Sequence, residues 1–214
     1  QFATPSGQYD AARFDIGTYA HRPHVGDDGR PSTGWHAEFG DIDNDGLADL
    51  FIAKGNVDQM PGMAMEDPNN LLMQRADGTF VETAAEAGIA TTDRSRGAAL
   101  VDFDGDGRQD LIVSNRRVPL EIYRNVSAAT GNWIGVDLRQ PEGNRFAIGA
   151  VITVTTNEGS QVLQHTIGGG HAGGQLIARH FGLGASTQAQ ITVVWPDGTT
   201  TTTTADAGTV VTIA

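Results

Sequence analysis

Two similar stretches decide the fold of this chain: GDIDNDGLADLFIA at residues 40–53 and VDFDGDGRQDLIVS at residues 101–114. Each places four aspartates within nine residues and then becomes apolar and β-branched. Four carboxylates at this density repel one another unless a cation lies between them. The pattern therefore predicts a cation-binding loop that leads directly into a β-strand.

The ten candidate ligands stand at matching positions of the two loops. Positions 1, 3, 5 and 9 of the first loop are Asp41, Asp43, Asp45 and Asp49, and those of the second are Asp102, Asp104, Asp106 and Asp110. Position 6 is glycine in both loops, which permits the sharp turn that wraps a loop round an ion. Position 7 supplies a backbone carbonyl in such loops, and it is occupied by Leu47 and Arg108.

Oxygen ligands at this spacing indicate calcium, with one ion in each loop and two in total. Magnesium is an alternative, although it prefers fewer protein ligands and retains its waters. A solvated acidic turn without any ion is the other alternative. The loops are not EF-hands, because position 12 is Ile52 in one and Val113 in the other, where an EF-hand requires glutamate.

Composition limits the partners and the fold class. The 214 residues include 26 acidic and 14 basic ones, and the net charge of −12 disfavours nucleic acid and anionic membranes as partners. Cysteine is absent, which excludes disulfides and thiolate metal sites. No apolar run approaches the ~18 residues of a membrane span. Short β-branched runs between turn residues predict an all-β protein, with one short helix at residues 81–90.

The two loops belong to an internal repeat. Asp102 follows Asp41 by 61 residues, and the similarity extends into the flanking apolar runs. A repeat of this size with several short strands is typical of a propeller blade. The two stretches resemble the FG-GAP or VCBS repeats of integrin-type β-propellers, and this resemblance implies calcium bound between blade strands.

The C-terminal part carries a second resemblance. The stretches NRFAIGAVITV at 144–154, HFGLG at 180–184 and VVWPDGTTTT at 193–202 are similar to the ASPIC/UnbV domain. That domain follows such repeats in the cartilage acidic protein family, whose members are secreted, so the resemblance implies an extracellular or cell-surface location. Longer alternating runs with TNEGSQ and PDGT turns predict a small antiparallel β-sandwich or barrel-like domain.

We therefore expect two regions in an all-β chain. Residues 1–130 form partial β-propeller-like repeats, with two calcium-loop blades and part of a preceding blade in residues 1–32. Residues 131–214 form an ASPIC/UnbV-like β domain, in which Thr199–Thr204 lies in an edge strand or its flank. Two or three blades cannot close a ring. Either the chain is a fragment of a larger protein, or neighbouring copies supply the missing contacts.

Other motifs carry weaker chemistry. The G-x-G-x-x-G at Gly168–Gly173 is followed by no convincing helix, so a loop or tight backbone packing is favoured over dinucleotide binding. His21 and His24 lack a third metal ligand, and the other histidines are expected to be structural or at the surface. Trp35, Trp133 and Trp195 are expected in the core, with sugar stacking as the alternative. Asn125 and the threonine run are formal glycosylation acceptors.

The sequence thus predicts an extracellular, calcium-stabilised structural or adhesive protein. No catalytic or organic-cofactor residues are evident, so we expect that the chain is not an enzyme. Unpaired sheet edges are expected to pair with further copies, which would give filaments or other assemblies, or with extracellular proteins and glycans. The alternative is a carbohydrate-binding module or the propeller part of a secreted enzyme.

Overall fold

The computed structural model describes residues 2–3, 9–10, 12–18, 33–55, 67–128, 130–171 and 173–214. Within these residues the chain is all-β, as predicted: it forms sixteen strands in five sheets, one 3₁₀ turn at Phe14–Ile16 and no α-helix. No helix in this described part is long and apolar enough to cross a membrane.

The N-terminal residues form a separate small sheet. Strand β1 (Phe2–Ala3) pairs antiparallel with β2 (Tyr9–Asp10). The partial preceding blade predicted in residues 1–32 falls mostly outside the described residues, as does the pair His21 and His24. Those expectations stay predictions.

Each acidic repeat folds into its own antiparallel sheet. Blade 1 has four strands in chain order: β3 (Gly34–Gly40), β4 (Asp49–Lys54), β5 (Asn70–Gln74) and β6 (Phe80–Glu82). Blade 2 has three: β7 (Ser95–Val101), β8 (Asp110–Asn115) and β9 (Glu121–Tyr123). The acidic loops connect β3 to β4 and β7 to β8, so they occupy the same place in the two blades.

The blades pack face to face through a shared apolar cluster. Strand β4 alternates, with Phe51 and Ala53 in this cluster and Leu50 on the other side with Leu72. The alternation lets one strand contribute to two packing layers. The cluster between the blades contains Phe51, Ala53, Leu71, Ala84, Ile89, Ala98, Leu100, Leu111 and Val113.

The helix predicted at residues 81–90 does not form. Residues 84–88 are a turn, in which the Ala87 N–H donates to the Thr83 carbonyl at 2.9 Å and the Ile89 N–H donates to the Ala84 carbonyl at 2.9 Å. Gly88, at φ +74°, ends the segment one residue before Ile89, which is buried between the blades. The prediction was wrong because a single turn leaves too few hydrogen bonds to repay helix nucleation.

The C-terminal part is a two-sheet sandwich of seven strands. One sheet has the order β13-β10-β16, and the other β12-β11-β14-β15. The strands are β10 (Asn132–Leu138), β11 (Val151–Thr155), β12 (Ser160–Gln164), β13 (Arg179–Gly184), β14 (Gln188–Val194), β15 (Thr200–Asp206) and β16 (Thr209–Ile213).

The sandwich departs from the prediction in one pairing. Strands β10 and β16 run parallel, with Ile134 opposite Thr209 and Leu138 opposite Ile213, whereas the expected domain was wholly antiparallel. The predicted hairpin turns and the threonine-rich edge strand β15 are confirmed. One core joins the two sheets, and Ile134, Val136, Ile152, Phe181, Ile191 and Val193 are among its members.

Candidate metal centres

The two acidic loops have the backbone that their glycines predict. Loop 1 is defined as residues 41–49 and loop 2 as residues 102–110. Gly46 and Gly107, at position 6, adopt φ +90° and +86°, in the left-handed region that favours glycine. Position 4 is also left-handed in both loops, at φ 59° for Asn44 and φ 75° for Gly105. The loops therefore share two left-handed turns.

The first aspartate of each loop organises the turn through the same two hydrogen bonds. The Asp41 carboxylate accepts from the N–H of Asp45 at 3.0 Å and of Gly46 at 2.8 Å. The Asp102 carboxylate accepts from the matching residues of loop 2, Asp106 at 3.0 Å and Gly107 at 2.8 Å. Position 1 therefore holds the loop closed in the absence of any ion.

The last aspartate of each loop connects it to the third strand of blade 1 or to the segment that follows the third strand of blade 2. Asp49 accepts from Ile42 N–H at 2.9 Å and from Gln74 N–H at 2.8 Å. In the other loop, Asp110 accepts from Phe103 N–H at 3.2 Å and Asn125 N–H at 2.7 Å. Because both oxygens of each carboxylate receive a backbone N–H, position 9 is held rigidly against the loop.

Positions 5 and 7 form a third matching contact. The Leu47 N–H donates to Asp45 Oδ1 at 2.8 Å, and the Arg108 N–H donates to Asp106 Oδ1 at 3.0 Å. These bonds place position 7 beside the carboxylates. Use of the Leu47 and Arg108 carbonyls as ligands stays a prediction.

The structure brings three carboxylates together in each loop, but not the same three. In loop 1, oxygens of Asp41, Asp43 and Asp49 lie within 4.8 Å of one another. In loop 2, the corresponding group is Asp102, Asp104 and Asp106. Asp45 is therefore outside the first group, and Asp110 is outside the second.

The donor set fits a hard divalent cation. All the grouped ligand atoms are carboxylate oxygens, which calcium prefers. In addition, Asp43 Oδ1 is buried without a hydrogen-bond partner among the described residues. A buried carboxylate oxygen without a donor is costly, and a bound cation would satisfy it.

Loop 1 is buried, and its carboxyls are perturbed accordingly. Asp41 is 4 % exposed and Asp49 1 % exposed. Burial raises the pKa of Asp41 to about 7, with neighbouring aspartates adding to the rise and the Gly46 hydrogen bond opposing it. Burial likewise raises the pKa of Asp49 to about 6, against its two backbone donors, and raises the pKa of Asp43. Burial and crowding therefore disfavour the ionised form of these carboxyls, and a bound cation would favour it.

Loop 2 is more exposed, and arginines compensate its charge. Arg124 donates to Asp104 at 2.6 Å and to Asp106 at 3.1 Å. The Arg108 guanidinium also donates to Asp106. Loss of hydration acts to raise the pKa of Asp106, but hydrogen bonds from the Arg108 backbone and the Arg124 side chain lower it overall.

Asn44 joins loop 1 to both loop 2 and the sandwich. Its side-chain Nδ2 donates to the Gly107 carbonyl at 2.9 Å, and its Oδ1 lies 2.7 Å from Nε2 of His180 on β13. Its own carbonyl accepts from the Gly184 N–H at 2.9 Å. Asn44 is 1 % exposed, so these bonds are shielded from water. This residue was not predicted from the sequence, although asparagine at the position that Gly105 occupies in loop 2 was a usable signal, because both residue types tolerate a left-handed backbone.

The sandwich approaches loop 1 closely on the same side. A Cβ on Gly182 would collide with the Asp41 carboxylate and with the Asn44 backbone. Burial lowers the pKa of His180 to about 4, so its imidazole is neutral beside Asn44 at neutral pH. His180 also stacks on Trp133 at 5.6 Å, and Trp133 fills the space that a Cβ on Gly107 would need.

Two further amides connect the loops. Gln109 Oε1 accepts from the Asp41 N–H at 3.0 Å, and Asn125 Nδ2 donates to the carbonyls of Ile42 at 2.9 Å and Gln109 at 3.2 Å. The Asn125 nitrogen that a glycan would modify is thus engaged in two hydrogen bonds. From the sequence, Asn125 was predicted only as a formal glycosylation acceptor, and its role in connecting the loops was not predicted.

The weaker motifs have structural roles. Gly169, Gly170 and Gly173 pack on His36, and a Cβ at Gly170 would collide with it, which confirms tight packing for this glycine-rich segment. His36 Nδ1 accepts from the Gly170 N–H at 2.9 Å, while its Nε2 lies 3.0 Å from Glu38.

The prediction that the tryptophans lie in the core is confirmed for Trp195, whereas Trp35 and Trp133 are half-buried. Trp195 is buried in the sandwich core and donates to Thr201 at 2.8 Å. Trp35 lies under the Arg96 guanidinium at 4.5 Å and beside His171 at 5.0 Å. These contacts favour packing over the sugar-stacking alternative.

Comparison with known families identifies both parts of the chain. Residues 58–113 match the FG-GAP-like repeat family, and residues 140–213 match the ASPIC and UnbV family. The first match contains the end of blade 1 and loop 2, and the second contains most of the sandwich. Both resemblances seen in the sequence are confirmed.

Several curated relatives are named cartilage acidic protein 1. The mouse and human proteins are each 30 % identical over 162 residues, which cover 74 % of this chain but 25 % and 24 % of the relatives. The Xenopus tropicalis protein is 36 % identical over 109 residues, or 49 % of this chain and 17 % of its own length. The chain therefore spans about a quarter or less of the length of the curated relatives it matches.

Proposed function

Because this chain carries an FG-GAP-like repeat followed by an ASPIC and UnbV domain, we propose that it is an extracellular, calcium-stabilised structural or adhesive protein rather than an enzyme. The observation that carries the proposal is the matched pair of loops, each with three carboxylates grouped within 4.8 Å. The relatives' printed names refer to cartilage and acidity, and to no enzymatic activity.

The proposed ligands are those predicted from the sequence. One calcium ion in each loop is held by carboxylates at positions 1, 3, 5 and 9 and by the carbonyl at position 7. Asp45 lies outside the grouped carboxylates and would join by a small side-chain rotation, whereas Asp110, whose two oxygens accept backbone N–H groups, would join through water. Calcium fits better than magnesium, because the loops offer several flexible oxygen donors rather than one or two.

The proposed role of calcium is to neutralise and stiffen the blades. Eight of the 26 acidic residues lie in the two loops, and two calcium ions would change the net charge from −12 to −8. Ion binding to the folded chain stabilises it by mass action. Millimolar extracellular calcium is sufficient to fill sites of the affinity found in extracellular modules.

The proposed assembly follows from the open sheets. Two blades are described, and a ring of propeller type takes at least about four. We therefore include self-association into filaments or other assemblies, or binding to extracellular proteins and glycans, in the proposed function. Neither a nucleic acid nor an anionic membrane suits a chain with net charge −12.

Calcium titration tests the proposal directly. Isothermal titration calorimetry of the metal-free chain is expected to give two bound ions. EDTA is expected to lower the Tm of the calcium-loaded protein by several degrees, since ~2.7 kcal/mol of stabilisation per site is lost at 100-fold saturation. Asp43→Asn and Asp104→Asn should each reduce the number of bound calcium ions from two to one.

A matched control separates the sites from general charge. Glu86 is exposed and lies outside both loops, so Glu86→Gln should leave two bound ions. Binding of no calcium, or an EDTA-insensitive Tm, would refute the role assigned to the loops.

A further inference from the structure

The repeat allows the same position to be compared in the two blades. Residues of β3, loop 1 and β4 have counterparts 61 residues later, and residues of β5 are matched to β9 through their pairing with β4 and β8. The front of each blade is the sheet face that carries Leu50 in blade 1 and Leu111 in blade 2, and the back is the opposite face. The front of blade 2 carries Leu100 and Leu111, which are directly paired, and it packs on the back of blade 1, which carries Phe51 and Leu71. This contact within the chain is an example of the front of one blade packed on the back of another.

The front of blade 1 has an open rim. Phe39 is the counterpart of Leu100, and it pairs with Leu50 as Leu100 pairs with Leu111. Leu100 is 2 % exposed in the contact between the blades, whereas Phe39 is 64 % exposed. Leu50 is already buried, so the open part of this front is its β3 edge.

The back of blade 2 is open at the matching positions. Ile122 is the counterpart of Leu71, and it is 58 % exposed where Leu71 is 7 % exposed. Phe103, 49 % exposed, is the counterpart of Ile42, which packs against the cluster between the blades. Exposed large apolar side chains that share one face mark an interaction surface.

We propose that the front of blade 1 in one copy of this chain packs on the back of blade 2 in a second copy. The contact repeats between copies what the two blades form within one chain. Its front is apolar at every counterpart position: Ala37, Phe39, Leu50 and Ile52 correspond to Ala98, Leu100, Leu111 and Val113. Phe39 would occupy the place beside Ile122 and Phe103 that Leu100 occupies beside Leu71 and Ile42.

Such a contact joins two different surfaces, and it therefore propagates. A head-to-tail interface gives a ring if the rotation closes and a filament if it does not. This inference rests on the self-association in the proposed function, and it specifies a face-to-face contact between blades. A face-to-face contact depends on side chains that point out of the sheet, such as Phe39 and Ile122, which edge pairing through backbone groups does not require.

Complementary variants test the head-to-tail geometry. Analytical ultracentrifugation of the full chain in millimolar calcium is expected to show species that grow with protein concentration. Phe39→Lys and Ile122→Lys should each weaken association by about thirty-fold or more, as expected for the loss of a central apolar anchor. An equimolar mixture of the two variants should form a dimer and nothing larger, because one intact front and one intact back remain between them.

A control substitution on the sandwich distinguishes this contact from non-specific association through exposed apolar side chains. Val162 on β12 is 67 % exposed, and Val162→Lys should assemble like the wild type. A wild-type chain that stays monomeric at all concentrations, or Phe39→Lys and Ile122→Lys variants that assemble normally, would overturn the proposal. A dimer that survives both substitutions would indicate a symmetric contact elsewhere, which also overturns it.

Calcium binding keeps the two proposals distinguishable. Both side chains are exposed, so the monomeric variants should still bind two ions and keep their Tm. Normal calcium binding without assembly would refute this contact alone, whereas assembly without calcium binding would refute the calcium role alone.

Discussion

Loop 1 and loop 2 share a ligand pattern and a backbone, but their surroundings differ. Loop 1 lies between its blade, loop 2 and the sandwich, with Asp41 buried and the pKa of its carboxyl raised by that burial to about 7. Loop 2 faces solvent, and Arg124 pairs with two of its carboxylates. A shared ligand motif therefore predicts shared ion chemistry, while its position in the fold decides whether a loop also joins other parts of the protein.

The largest expected difference between the loops concerns their first aspartates. Asp41 is 4 % exposed, and Asp41→Ala removes a buried side chain together with the acceptor of the Asp45 and Gly46 N–H groups, so we expect the free energy of unfolding to fall by about 2–4 kcal/mol. Asp102→Ala should cost about 1–2 kcal/mol, because the Asp102 side chain is only half-buried. Urea denaturation in millimolar calcium measures both, and equal losses would contradict the comparison.

The second prediction concerns the joint formed by Asn44. Asn44→Gly keeps the left-handed backbone but removes the hydrogen bonds to Gly107 and His180, so it should cost about 1–3 kcal/mol. The reciprocal change, Gly105→Asn in loop 2, should alter stability by about 0.5 kcal/mol or less, because it is exposed and asparagine tolerates this conformation. Thermal unfolding compares the two, and a stable Asn44→Gly variant would show that the joint contributes little.

The smallest expected effect concerns the arginine of loop 2. Calcium must displace Arg124 from Asp104 and Asp106, so Arg124→Gln should raise the affinity of loop 2 for calcium by a factor of about two to five. Calorimetry in an Asp43→Asn background isolates loop 2. Arg139→Gln, which removes an arginine paired with Asp137 in the sandwich, is the control and should leave the calcium affinity of loop 2 unchanged. Weaker binding by Arg124→Gln would show that this arginine orients the ligands instead.

Local features of the fold were predictable from sequence. The acidic loops, the strands that follow them and the hairpin turns of the sandwich each depend on residues close together in the chain. The helix predicted at 81–90 was wrong, because the local pattern carries no information about the packing of Ile89 in the core between the blades. The parallel pairing of β10 and β16 was missed, because it depends on segments distant in sequence.

Some features of the candidate site were predictable from sequence, and others depend on contacts between distant residues. Spacing was sufficient to predict the carboxylates, but not which three group together in each loop. Asn44 was overlooked although Gly105 stands at the matching position, and Gln109 and Asn125 contact loop 1 from the other repeat. A contact between residues far apart in the chain leaves no periodic pattern in the sequence.

The sequence by itself determined the two clusters of aspartates, the turns that hold them and the alternation of the strands behind them, because these features need only nearby residues and preferred backbone angles. Only the tertiary structure decided that Asp41 of loop 1 is buried while Asp104 of loop 2 is exposed, that Asn44 meets His180 136 residues away, and that Phe39 and Ile122 remain uncovered. Burial is the physical reason: it depends on what packs against a segment from elsewhere in the chain, and it sets the cost of every unpaired charge and polar atom.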